Sequence, residues 1–147
     1  MLIAFGFLLL ILGTLFIDPI FEKLGSKSTN QSGLSLAIKQ LNIIFLIPFV
    51  ITSTLIGPFN EEIIFRKILL DSINKKLGLF LAISISSLLF GMIHVHNLSE
   101  WTQSISYIYA GGVLGYIFYK SHYNILCVVI LHVLNNLLGI TFLLLQR

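Results

Sequence analysis

Residues 57–70 read "GPFNEEIIFRKILL", where two adjacent carboxylates, Glu61 and Glu62, are followed by a guanidinium at Arg66. Two other short stretches carry related chemistry. "FGMIH" sets His94 four residues after Phe90, and "HVLNN" sets Asn136 four residues after His132. An α-helix advances about 100° per residue, so residues four apart share a face. Glu62 and Arg66 therefore make an ion pair in the better order, acid first. Glu61 points about 100° away from Glu62 and stands at a poorer spacing from Arg66. One carboxylate thus has an internal counterion, and the other is left for different work. The same spacing lays the Phe90 ring beside the His94 imidazole and stacks His132 on Asn136, two hydrogen-bond donors one turn apart. Carboxylates, imidazoles and an amide serve proton transfer, zinc ligation or hydrogen-bond donation. Burying them is costly unless each finds a partner.

The setting is a membrane. The 147 residues are 56% hydrophobic and 10% charged, where a soluble domain carries about 25% charged residues. Mean hydropathy is +0.97. The expected fold is all-α, one integral-membrane domain over residues 1–147, a polytopic bundle of five to six helices at about 20 residues each. No room remains for a separate soluble domain, and strands would need alternating ten-residue segments. Net charge is +3. Its lysines fall between apolar segments, the usual membrane-topology pattern, and no basic run is dense enough for nucleic acid. The single cysteine, Cys127, sits in an apolar run and can form no intrachain disulfide.

The elements that must position the site follow from the apolar runs. A first helix over residues 2–17 ends near Asp18-Pro19, and residues 22–33 read as a polar loop. A second segment runs from about 36 to 56, with Pro48 as a candidate kink. Gly57-Pro58 is expected to break the chain, so that the carboxylate-bearing helix starts at Pro58 or is capped by Asn60 and ends near Lys75-Lys76. Further segments cover 78–95, 104–119 and 124–145, with a short polar loop at 96–103. Glu61 then lies near the start of its helix and His94 near the end of the next, antiparallel one. The last segment runs parallel to the one bearing His94. All four polar side chains fall in the same half of the bilayer, which favours one shared site.

The motifs resemble those of the CAAX protease and bacteriocin-processing family of intramembrane endopeptidases. "EEIIFR" fits its two glutamates, three spacers and arginine, "FGMIH" fits Phe-x-x-x-His, and "HVLNN" fits His-x-x-x-Asn, in that order over roughly residues 55–140. The resemblance implies a bacterial cell-membrane endopeptidase that needs no cofactor and no catalytic metal. It implies that Glu61 and His94 activate a water, that His132 and Asn136 form an oxyanion hole, and that Glu62, Arg66 and Phe90 support them. Peptide hydrolysis needs such a base and such donors. The implied partners are a membrane-associated peptide, prenylated or leader-type, and the lipid bilayer. The chain is short at its N-terminal side for the family, which leaves a place for a partner subunit or a second copy.

Blander and rival readings stand beside this one. Two acids at a helix start complement its dipole, and a Glu–Arg pair stabilises a helix. Phe90 reads as packing, His96 and His122 as interfacial, Asn135 as a helix-contact amide, and Gly111 to Gly115 as small-residue packing. Glu61, Glu62, His94 and His132 are zinc ligands in type, without a His-Glu-x-x-His helix. A bacteriocin-immunity or peptide-binding protein would use the same polar face without cleaving, and a small transporter would use it to relay protons. Orientation follows from Lys23, Lys27, Lys39, Lys75, Lys76 and Lys120. If the carboxylate-bearing helix crosses the membrane, all six lie on one side, the cytoplasmic one, and Glu61 faces outward. If it dips in and returns, the later lysines face out. The crossing arrangement is preferred.

Overall fold

A computed structural model describes residues 1–23, 29–95 and 98–146. Among the described residues every regular element is helical: α1 (Leu2–Phe16), α2 (Asp18–Lys23), α3 (Thr29–Gln40), α4 (Ile43–Leu77), α5 (Leu79–Met92), a 3₁₀ turn (Leu98–Gln103), α6 (Ser104–Lys120) and α7 (Ile125–Leu145). Three stretches have the length and apolarity to cross a membrane: Leu2–Ile20, Ile43–Leu77 and Ile125–Leu145. α5 and α6 have 14 and 17 residues. At 1.5 Å per residue they reach about 21 and 26 Å, short of a hydrocarbon core about 30 Å thick. The chain is an all-α membrane helix bundle.

Three expectations about boundaries are overturned. Residues 22–33 are not a loop where they are described, since α2 reaches Lys23 and α3 begins at Thr29. The polar sequence of α3 hides an apolar stripe: Leu34 and Ile38, four residues apart, pack with Leu46 and Ile140. The segment from 36 to 56 is interrupted at Leu41-Asn42. Asn42 caps a new helix, its side-chain oxygen accepting from the Ile44 and Phe45 amides at 3.1 and 3.3 Å. Finally, Gly57-Pro58 does not break the chain, and Asn60 caps nothing. α4 is continuous for 35 residues, through both Pro48 and Pro58. It stays continuous at Pro58 because the turn at Thr52–Ile56 widens to π-helical geometry. A wider turn relieves the clash of the pyrrolidine ring with the preceding carbonyls. A second π-helical stretch follows at Ile63–Leu70.

Side-chain partners fix the helix directions. α4 and α5 form a hairpin through Gly78, whose φ of +82° suits glycine. Along it, Ser86 meets Phe65 and Ala82 joins the cluster of Leu70. α7 is antiparallel to α4: His132 meets Glu62, Asn136 meets Ser53 and Ile140 packs with Leu46. α5 and α6 approach closely, because a Cβ at Gly91 would lie 2.8 Å from the Ser104 carbonyl and one at Gly111 3.0 Å from Ser87 Cα. Such small-residue contacts are how helices associate in lipid, where burial from water supplies little drive. Gly111 and Gly115 are therefore packing residues, as expected. α1 lies across α6 and α7, with Gly6 against Leu131 and Ile117 and the Tyr109 hydroxyl donating to the Leu9 carbonyl at 2.9 Å.

One continuous α4 also changes the disposition of the lysines. Lys39 closes α3 just before α4 begins, whereas Lys75 and Lys76 close α4 itself. The 35 residues of α4 separate those ends by about 52 Å. The two groups stand at opposite ends of the bundle, so the lysines do not agree on one side. Lys27 lies outside the described residues.

Candidate active site

Four helices deliver the polar side chains. α7 starts at Asn124, whose side-chain oxygen accepts from the Leu126 and Cys127 amides at 3.0 and 3.4 Å. That cap sets the register that brings His132 and Asn136 level with the middle of α4. Glu61 is not near a helix start, as the expected break would have made it. It lies deep within α4, so no helix N-terminus acts on it.

Glu62 and Arg66 are fully buried, with Arg66 Nε 3.0 Å from Glu62 Oε2. The other oxygen, Glu62 Oε1, accepts from His132 Nδ1 at 2.9 Å. A carboxylate can only accept here, so Nδ1 carries the proton. The opposite ring nitrogen, Nε2, stands 3.8 Å from Glu61 Oε2. His132 thus spans the two carboxylates. Glu61 is 27% exposed where Glu62 is 0% exposed. One acid is locked in the ion pair and the other opens to the cavity.

Arg66 is held on its far side as well. Its Nη1 donates to Ser86 Oγ at 3.2 Å, and Ser86 donates to the Phe65 carbonyl at 2.7 Å. Nη2 is buried without a hydrogen-bond partner among the described residues. The guanidinium carbon lies 5.0 Å from the Phe90 ring centre, which offers cation–π compensation. Phe90 is also 4.8 Å from the His94 ring, 5.9 Å from His132 and 5.3 Å from Phe65, centre to centre. It is one buried ring against which the ion pair and both imidazoles rest. His94 Nδ1 lies 2.8 Å from the Phe90 carbonyl and must donate to it, which places the lone pair of the neutral ring on Nε2. Tyr107 stacks on that imidazole at 4.3 Å and 15°.

Glu61, His94, His132 and Asn136 all line one cavity of about 510 Å³, together with Ser53, Gly57, Phe90, Tyr107 and Asn135. Leu10, Leu34, Ile140 and Leu143 give it an apolar side. Glu62 and Arg66 stand behind this wall. Asn136 Nδ2 donates to the Ser53 carbonyl at 3.1 Å. His122 lies in the exposed turn between α6 and α7, away from the cavity, and His96 is outside the described residues. Ser53, Ser86 and Tyr107 escaped the sequence reading. Ser86 had a signal, a serine pair inside an apolar run, but nothing in its spacing pointed to Arg66. Tyr107 and Ser53 had none, because their partners lie on other helices.

Comparison with known proteins gives three matches. A family model described as "Type II CAAX prenyl endopeptidase Rce1-like" matches residues 42–138. A Bacillus subtilis (strain 168) protein named "Putative membrane peptidase YdiL" is 44% identical over 55 residues, 37% of this chain and 22% of that protein. A Mycoplasma capricolum subsp. capricolum protein named "Uncharacterized protein" is 30% identical over 146 residues, 88% of this chain and 43% of that one. The chain thus spans less than half the length of either relative. No solved structure matches it significantly.

Proposed function

Since the chain belongs to the Rce1-like family of type II CAAX prenyl endopeptidases, we propose that it hydrolyses a membrane-associated peptide, prenylated or leader-type, at the cavity between α4, α5 and α7. The observation that carries this reading is the convergence of Glu61, His94, His132 and Asn136 on one cavity of about 510 Å³. The cavity has a polar wall for a peptide bond and an apolar side for a greasy substituent.

In this reaction Glu61 and His94 take a proton from a water as its oxygen attacks the scissile carbonyl carbon. The carbonyl oxygen becomes an oxyanion, met by donors from Asn136 and His132. Collapse breaks the C–N bond, and the proton goes to the leaving amine, giving a carboxylic acid and an amine that then ionise to carboxylate and ammonium. His94 suits the base, because its Nδ1 proton is committed to the Phe90 carbonyl and its Nε2 keeps the lone pair. His132 Nδ1 donates to Glu62, so donation from Nε2 to an oxyanion requires the doubly protonated ring, with Glu61 and Glu62 as its adjacent carboxylates. Glu62, Arg66, Ser86 and Phe90 hold the imidazoles in place. Preorganised donors of this kind contribute about 2.7–4 kcal/mol each to the transition state.

The test is cleavage of lipid-anchored and leader-type peptides by the purified protein in liposomes, with products identified by mass spectrometry. Single alanine variants of the four cavity residues should each lower turnover by at least about 10²-fold. Peptide that binds but is never cut would assign the site to sequestration, as in an immunity protein.

A further inference from the structure

α4 carries Pro58 one turn before the glutamates and passes through it unbroken. The Gly57 amide donates to the Thr52 carbonyl, five residues back. In an α-helix that amide would serve Ser53. The next donor along the chain is position 58, and proline has none. Ser53 therefore loses both of its intrahelical donors, one to the widened turn and one to the pyrrolidine ring. Its carbonyl accepts from Asn136 Nδ2 instead, at 3.1 Å. Because a carbonyl only accepts, the nitrogen and not the oxygen of the Asn136 amide faces Ser53, and the amide is fixed in one flip. Its second amide proton and Oδ1 are then the groups it can turn to the cavity that both residues line. Gly57 keeps the turn closed: a Cβ there would lie 3.2 Å from the Thr52 carbonyl oxygen. Pro58 itself is buried and is absent from the cavity wall.

We propose that Pro58 is a positioning residue, which orients Asn136 for the reaction by leaving the Ser53 carbonyl available to accept from it between α4 and α7. The proposal rests on the reading of Asn136 as an oxyanion donor. In Pro58→Ala the new amide reaches the carbonyls of Ser53 and Thr54, the wide turn can relax to α-helix, and Asn136 loses its hold. A misplaced catalytic group can cost about 10²-fold. Pro58→Ala should accordingly lower kcat by about 10–100-fold with KM unchanged. In an Asn136→Ala background the same change should lower it by no more than about twofold, the scatter expected when nothing further is lost.

The experiment compares wild type, Pro58→Ala, Asn136→Ala, the double variant and Glu61→Gln on one peptide in liposomes. Glu61→Gln abolishes cleavage whether or not Asn136 is held, so it tests the functional reading separately. A second measurement needs no activity. In protein with ¹⁵N-labelled asparagine, the Asn136 amide signal is identified by its loss in Asn136→Ala. One of its two protons should exchange with solvent at least about tenfold more slowly than the other, and Pro58→Ala should erase that difference. Pro58→Ala and Asn136→Ala effects that multiply, or an Asn136 proton that stays protected in Pro58→Ala, would overturn the proposal.

Discussion

Removing the charge of Glu62 while keeping its shape should destabilise the protein far more than a surface ion pair would suggest. Glu62 and Arg66 are both 0% exposed and 3.0 Å apart. In Glu62→Gln, Arg66 retains one hydrogen bond to Ser86, the face of Phe90 and the more distant Glu61 carboxylate, none of which replaces the contact ion pair. Breaking a buried pair on one side costs about 3–5 kcal/mol, because an uncompensated charge stays behind. That corresponds to a factor of roughly 10² to 4 × 10³ in the folding equilibrium. Adding Arg66→Met removes the stranded charge, so the double variant should regain at least half of the lost stability. It should not regain turnover, since His132 then rests on a neutral amide in place of the carboxylate 2.9 Å away. Reversible unfolding in mixed micelles of dodecylmaltoside and SDS, followed by far-UV circular dichroism, measures the first effect, and the cleavage assay the second. Glu62→Gln within about 0.5 kcal/mol of wild type, the range of an ordinary surface change, would refute this account of the ion pair. So would a double variant less stable than either single one.

Gly111→Val should push α5 from α6, since even a Cβ at this position would sit 3.0 Å from Ser87 Cα; the same unfolding assay should show a loss of about 1–3 kcal/mol. Single cysteines at Gln40 and at Lys76, in a Cys127→Ser background, bracket the 35-residue α4. A membrane-impermeant thiol reagent on intact cells should label one and spare the other, and equal labelling of both would show that α4 does not cross. If Glu61 and His94 activate water without a metal, exhaustive chelation leaves turnover unchanged, whereas loss on chelation with recovery on adding zinc would make the histidines ligands.

What the sequence made legible was local or set by length. The Glu62–Arg66 pair follows from i,i+4 geometry, and the shared depth of Glu61, His94 and His132 follows from counting residues along antiparallel segments. The helices over 79–92, 104–120 and 125–145 follow from apolar runs bounded by polar turns. Pro58 misled, because a proline usually ends a helix, yet one π-helical turn absorbs its ring. The Asn42 cap does not stand out in the sequence, because the apolar run continues on its far side. The first turn of α3 reads as loop because its residues are polar and the Leu34–Ile38 stripe that seats the helix begins only beyond them. The Asn42 break and the unbroken passage through Pro58 together change which lysines share an end of the bundle. The bonds from Ser86 to Arg66 and from Asn136 to Ser53 join distant parts of the chain, and no periodicity in one segment encodes them.

The most direct test of the central claim is the rate of peptide cleavage by purified wild-type protein against Glu61→Gln, in the same liposomes. Glu61 is the carboxylate that reaches the cavity, and glutamine keeps its size while removing the base. Turnover by wild type, with a loss of at least about 10²-fold in Glu61→Gln and an unchanged unfolding midpoint, is the predicted result. Near-normal cleavage by Glu61→Gln would contradict the assignment of the base and, with it, the proposed mechanism.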